Sequence, residues 1–330
     1  MLDKAKQYLC ENLNKKCTYL LGLSGGSDSL ALFYLLVDEG WNFHACYVNH
    51  GLREESHNEG DELANICQNS GVPFHLVVLE DIDYKAGNLE GRFRELRYLH
   101  LRNIYENTKC NALLLGHHRD DQVETILKRV LEGSSLINLS GMQLCMEKNG
   151  MKIVRPLLFH KKSEMIDFLL VKDKKFFSDY TNYDCKYLRA RMREEIIPWL
   201  EKSFNKNIRD NLVIFGSRMD EIYKYLHFRI SHYLEKLKFN EFGAHIEVPK
   251  DLHDLEIEYF LRFILKNLDI SLSRKEIEKI HSIIKLRKNG KRHINGFFEI
   301  IFLKDTLFFF DIEKCANNEN KKRNIYQLCN

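Results

Sequence analysis

The chain has no long uninterrupted apolar run. Its N-terminal stretch, "MLDKAKQYLCENLNKK", has the charge pattern of an amphipathic helix and not of a signal peptide. The greasiest late stretch, "FFEIIFLKDTLFFF", is broken by Lys304 and Asp305 and is too short to cross a bilayer. It reads as two strands of a hairpin, and the expected location is cytoplasmic. There is no C-x-x-C among the nine cysteines, whose odd number and scattered spacing predict reduced thiols and exclude a zinc ribbon or a cysteine-held cluster. Internal repeats are absent as well. So is a strong excess of either charge: 50 Lys and Arg against 47 Asp and Glu leave a net charge of only +3, which by itself does not announce a nucleic-acid binder.

What is present is an alternation. The short apolar runs "CTYLLGL", "FHACYVNH", "FHLVVLE" and "CNALLLGH" read as buried parallel strands. Helical patterns lie around them at 29–39, 55–69, 88–107 and 120–132. Repeated strand–helix units predict an α/β fold, a parallel sheet with helices on both faces. From about 151 to 215 the pattern turns mainly helical, and the tail reads as a smaller α+β domain. The expected division is a catalytic domain with helical extension over 1–215 and an accessory domain over 216–330. In parallel sheets ligands bind beyond the carboxyl ends of strands. Three of those ends carry unusual polar strings, "SGGSDS", "NHGLR" and "GHHRDD".

The first string lacks the features of two well-known phosphate loops, since neither G-x-x-x-x-G-K-[ST] nor G-x-G-x-x-G occurs. Ser24, Gly25, Gly26, Ser27, Asp28 and Ser29 still lie between a strand and a helix N-terminus, where backbone N–H groups and the helix dipole favour an anion. Asp28 would repel phosphate unless a divalent metal lay between them. The plainer alternative is a turn in which Ser27 or Asp28 caps the helix. In "GHHRDDQVET", His117, Asp121 and Glu124 are spaced by four and three, which puts the two carboxylates on one helical face. An imidazole and carboxylates at a strand end can bind Mg²⁺ and take a proton from an amine. Here too a plainer reading stands beside it: Asp120 or Asp121 caps the helix, and His118 packs.

"SGGSDS" resembles the signature of the N-type ATP pyrophosphatases, the PP-loop superfamily with an adenine nucleotide α-hydrolase-like fold. These enzymes split ATP between its α and β phosphates, adenylate an oxygen and let a nucleophile displace AMP. "VNHGLREES", "NLEGRFRELRY" and "GHHRDDQVET" resemble, more narrowly, the tRNA(Ile)-lysidine synthetase family. So do "LEGSSLINLSGM", "RPLL" and "DYTNYDCKYLRARMREEIIPWL", which carry the resemblance to about residue 203. The tail resembles that family's first C-terminal domain more loosely, and the second such domain of longer members is expected to be absent. Two departures stand out. Glu132, Gly133, Ser134 and Ser135 replace Arg-Gly-Ser-Gly, and Arg189, Ala190, Arg191, Met192 and Arg193 lack the Asn of Arg-Asn-x-x-Arg.

The resemblance implies ATP and Mg²⁺ as cofactors, and as substrates L-lysine and an isoleucine tRNA with a CAU anticodon. It implies that Ser24 to Ser29, with Asn49 and His50, bind ATP, and that Asp28 with Asp121 or Glu124 holds the metal. Asp28, Arg97, His117, Asp121 and Glu124 are the expected catalytic set. For tRNA, residues 271–295 carry eight cationic side chains against Glu276 and Glu278. Lys288, Lys291 and Arg292 there, with Arg189, Arg191 and Arg193, are the expected phosphate contacts. The oligomeric state stays open, a homodimer included. Two rivals share the superfamily: a tRNA thiolation enzyme, for which paired C-x-x-C ligands are missing, and a glutamine-fed synthetase, for which no amidotransferase segment is visible. A non-catalytic nucleotide-binding module is the rival from another class, against which the concentration of titratable groups in "GHHRDDQVET" argues.

Overall fold

The computed structural model describes residues 1–49, 55–79, 89–177, 188–240 and 243–313. They form two compact units, which divide between Ser217 and Arg218. The first unit begins with α1 (Asp3–Asn12), β1 (Tyr19–Gly22), α2 (Ser27–Asp38), β2 (Phe43–Asn49), α3 (Glu55–Asn69) and β3 (Phe74–Val78). It continues with α4 (Leu89–Asn107), β4 (Leu113–Leu115), α5 (Arg119–Leu131), β5 (Cys145–Lys148), β6 (Met151–Val154) and α6 (Lys162–Val171). The strands run in the order β3-β2-β1-β4-β6-β5. All neighbours pair in parallel except β5 and β6, which form an antiparallel hairpin at one edge.

The period of two along each strand sorts side chains to the two faces. Tyr19, Leu21, Ala45 and Leu114 join one buried cluster with Leu9 of α1, Leu32 and Leu36 of α2, Leu63 of α3 and Met165 of α6. Leu20, Cys46, Leu113 and Ile153 turn to the other, against Tyr98 and Leu101 of α4. Helices on both faces are what a sheet with near-continuous Leu and Val strands requires.

One expectation needs correction. Residues 151–154, taken into the helical stretch, form β6 and extend the sheet beyond β4. The signal was Asn149-Gly150: both have positive φ, 52° and 74°, the backbone of a tight hairpin turn. Met151 and Ile153 are fully buried, and β5 covers the edge of β6.

After residue 188 the chain is helical: α7 (Leu188–Arg191), a π-helical turn (Met192–Ile196), α8 (Ile197–Phe204) and α9 (Ile208–Leu234), within which the two units divide. The second unit holds β7 (Lys238–Asn240), β8 (Gly243–Glu247), α10 (Asp254–Asn267), α11 (Arg274–Lys285), β9 (Lys291–Ile294), β10 (Phe298–Leu303) and β11 (Thr306–Asp311). Its five strands form an antiparallel sheet in the order β7-β8-β11-β10-β9. The expected hairpin is β10–β11, paired from Phe298↔Asp311 to Leu303↔Thr306. Among the described residues no helix is long and apolar enough to cross a membrane.

Candidate active site

The loop after β1 enters α2 without a side-chain cap. The N-cap residue is Gly26, so neither Ser27 nor Asp28 plays that part. The first-turn amides are therefore left for a ligand. The serines divide their work. Ser29 is buried, and its Oγ accepts from Ser24 N–H at 3.1 Å and donates to Gly26 carbonyl at 3.1 Å. Its hydroxyl thus closes the loop on itself. Ser27 Oγ donates to Asp28 Oδ1 at 3.0 Å, which leaves Asp28 Oδ2 to face elsewhere.

It faces His118. Gly116, at the end of β4, makes this approach feasible: a Cβ there would lie 3.0 Å from Ser29 N and 3.1 Å from the Asp28 carbonyl carbon, both backbone atoms. His118, 1% exposed, is the N-cap of α5. Its Nδ1 accepts from Asp120 N–H at 3.1 Å, and its own N–H donates to Asp121 Oδ2 at 3.0 Å. Because Nδ1 spends its lone pair on the cap, the proton of the neutral ring sits on Nε2. That nitrogen lies 3.6 Å from Asp28 Oδ2 and 3.5 Å from Asp121 Oδ2. Burial opposes a second proton on His118, yet the Asp120 carboxylate, 3.6 Å from Nδ1, and the charges of Asp121 and Asp28 outweigh it and raise the pKa. Asp121 is held below the carboxylate range despite its burial, chiefly by the His118 and His117 rings. The plainer reading gave the cap to Asp120 or Asp121 and left His118 to packing; the N-cap is instead His118, with Asp121 closing the capping box, and the same two residues also join the loop of β1 to the end of β4.

His117 behaves differently. Burial pushes its pKa down to about 4, with the positive charges of Arg155, Arg94 and Arg189 adding against the pull of Asp121. It is neutral at pH 7, and its buried Nδ1 has no hydrogen-bond partner among the described residues. Glu124 is 2% exposed and raised in pKa, first by burial. Its Oε1 accepts from Arg193 Nε at 2.7 Å and lies 2.7 Å from a terminal guanidinium nitrogen, while Oε2 has no partner among the described residues. The same guanidinium reaches to 4.0 Å from Asp121. Arg193, expected among the RNA contacts, is thus turned to the acidic cluster from the π-helical turn, and Arg191 is exposed.

The other expected residues are distributed. Asn49 ends β2 and is buried; His50 lies outside the described residues. Arg97 is exposed on α4, beside the buried Tyr98, whose ring carries Lys148 Nζ at 4.6 Å. Arg155 was not singled out by sequence beyond "RPLL". It is 3% exposed, with one terminal nitrogen donating to Gln143 carbonyl at 2.8 Å. In the second unit Lys288, Lys291 and Arg292 are all exposed, and Arg292 lies 3.4 Å from the buried Glu299. Among the described residues no three His, Cys, Asp or Glu side chains are arranged to hold a metal by themselves.

The doubly covered sheet and the uncapped small-residue loop at the end of its first strand define a PP-loop protein, and residues 2–200 match the PP-loop domain family. The chain is 34% identical over 326 residues to a tRNA(Ile)-lysidine synthase of Protochlamydia amoebophila, covering 97% of this chain and 71% of that one. It is 37% identical over 267 residues to a tRNA(Ile)-lysidine synthase of Chlamydia felis, covering 80% and 83%. The chain belongs to the tRNA(Ile)-lysidine synthase family of PP-loop proteins. Its fold is also that of the U34-tRNA thiolase NcsA from Methanococcus maripaludis, with a TM-score of 0.55 at 22% identity over 67% of this chain and 78% of the other.

Proposed function

We propose that the protein ligates L-lysine to the wobble cytidine of an isoleucine tRNA with a CAU anticodon, consuming ATP. The ring carbonyl oxygen of the base attacks the α-phosphorus and pyrophosphate leaves. The lysine ε-amine then attacks the activated ring carbon, AMP departs, and the amine proton passes to the site. The observation that carries this reading is the meeting of Asp28 and Asp121 at His118 Nε2, within 3.6 Å. It sets the phosphate loop beside an acid-base cluster, where an adenylated base and an amine have to come together.

The proposed roles follow from the environments. Gly26, Ser27 and Asp28 N–H groups take the β and γ phosphates, with Asn49 and His50 at the adenosine. Asp28 and Asp121 offer hard oxygen donors from two helix N-termini, which suits Mg²⁺; this ion commonly takes one or two carboxylates and completes its shell with phosphate and water. When bound, the ion offsets charge on the departing pyrophosphate. Glu124, with one oxygen on Arg193, is assigned to the lysine side of the cluster. A free lysine amine has a pKa of about 10.4, so the site must accept its proton. Neutral His117, with its unpartnered Nδ1, is suited to that acceptance or to a hydrogen bond from the base. Arg97 is assigned to charge developing on the α-phosphate.

The test is incorporation. Purified protein is incubated with ATP, Mg²⁺, labelled lysine and a CAU-anticodon isoleucine tRNA transcript. Label is expected in the RNA and should depend on Asp28. An unlabelled transcript, alongside an active control enzyme, would sink the reading.

A further inference from the structure

Phe177 lies after α6, remote in sequence from the phosphate loop, and meets it directly. Its N–H donates to the Gly25 carbonyl at 2.9 Å. Its ring lies against Gly25 so closely that a Cβ there would be 2.2 Å from Cδ2 and 2.6 Å from Cε2. Gly25 has φ +77°, so side-chain strain and ring collision both exclude any residue but glycine.

The consequence concerns the peptide between Gly25 and Gly26. A trans peptide is planar, and its C=O and N–H point in opposite directions. A carbonyl drawn to Phe177 therefore turns the Gly26 N–H the other way. That N–H makes no hydrogen bond among the described residues, and it precedes the free first-turn amides of α2. Two adjacent glycines form the least restrained peptide a chain can hold, so nothing local prevents it from flipping. A flipped peptide would present a carbonyl oxygen to the phosphates in place of a donor.

We propose that Phe177 is a positioning residue for ATP: its N–H and ring hold the Gly25–Gly26 peptide in the orientation that points Gly26 N–H at the phosphates. Phe177 acts through the loop and touches no reacting atom. The inference rests on the reading of that loop as the ATP site, and not on the identity of the amine or the RNA.

The experiment compares wild type, Phe177→Ala and Phe177→Tyr. Titration calorimetry measures ATP and pyrophosphate binding, and initial rates give KM for ATP and for lysine. A lost or misdirected donor to phosphate is worth about tenfold or more in affinity. Phe177→Ala should therefore weaken ATP and pyrophosphate binding about tenfold, raising KM for ATP while KM for lysine and the rate at saturating ATP stay within about twofold. Phe177→Tyr, which keeps the ring, should restore wild-type affinity. In a double-mutant cycle, Gly25→Ala should weaken ATP binding less in the Phe177→Ala background than in wild type, because the collision is gone. Were Phe177 only core packing, Phe177→Ala would lower the melting temperature with ATP affinity unchanged and the cycle would be additive; either result overturns the proposal. ATP binding that depends on Phe177 without lysine incorporation would keep this inference and remove the substrate assignment. A wild-type protein that binds no ATP would remove both.

Discussion

Arg193→Met separates two readings of one arginine. In the fold Arg193 is the counter-ion of Glu124, which is 2% exposed, and lies 4.0 Å from Asp121. Removing it leaves a buried carboxylate with no cation at Oε1. Breaking a buried pair from one side costs about 3–5 kcal/mol, because water cannot take the partner's place. Glu124 limits the loss by holding its proton. Its folded pKa already lies above the ordinary 4.5, through burial first and the Asp121 charge beside it, and loss of Arg193 raises it further. A carboxyl with a raised folded pKa contributes stability that is present below about 4.5 and lost as pH rises through the folded value. The cost of Arg193→Met is thus expected to be larger at pH 8 than at pH 5. Urea denaturation at the two pH values measures it. Glu124→Gln in the Arg193→Met background removes the stranded charge and should recover most of the loss. The salt dependence of tRNA binding should stay as in wild type, since this guanidinium is spent inside the cluster. A loss below about 1 kcal/mol at pH 8, with a shallower salt slope, would refute the pairing argument and return Arg193 to the RNA.

Three other outcomes follow from the same geometry. His118→Asn keeps an N-cap acceptor, so stability should fall by no more than about 1 kcal/mol, while lysine incorporation should drop because the Nε2–H between Asp28 and Asp121 is gone; unchanged incorporation would make His118 a cap alone. Gly116→Ala drives a methyl against the backbone of Asp28 and Ser29, so pyrophosphate release should fall steeply, and normal release would show that the approach has slack. Lys288→Ala with Lys291→Ala should flatten the salt slope of tRNA binding by about 1 to 2, at about 0.7–0.9 per phosphate contact; adding Arg292→Ala should change it little, because Arg292 already faces Glu299.

The local patterns in the chain were enough for the four parallel strands β1 to β4 and the helices between them. Val- and Leu-rich runs bounded by polar strings fall on β1 to β4, and the expected helices fall on α2 to α5 within two residues at each end. Small residues between a strand and a helix pointed to a PP-loop, the family that residues 2–200 match, since Gly and Ser would act there through backbone amides that need no distant partner. The hairpin of β5 and β6 was legible in Asn149-Gly150, yet a four-residue strand beside helical text carries too little periodicity to stand out.

The tertiary structure decided which of several similar side chains does what. From sequence His117 and His118 are neighbours of one type. In the fold one is neutral, with a nitrogen that has no partner among the described residues, and the other is a cap that links two strand ends. Arg189, Arg191 and Arg193 form one basic cluster in the text, but a π-helical turn carries Arg193 onto Glu124, 69 residues away. Phe177 gave no signal at all, because its role lies in a contact with a glycine some 150 residues earlier. Sequence patterns record what a residue does to its own helix or strand. Charge, burial and peptide orientation depend on what arrives from elsewhere in the chain, and for these groups that arrival set the chemistry.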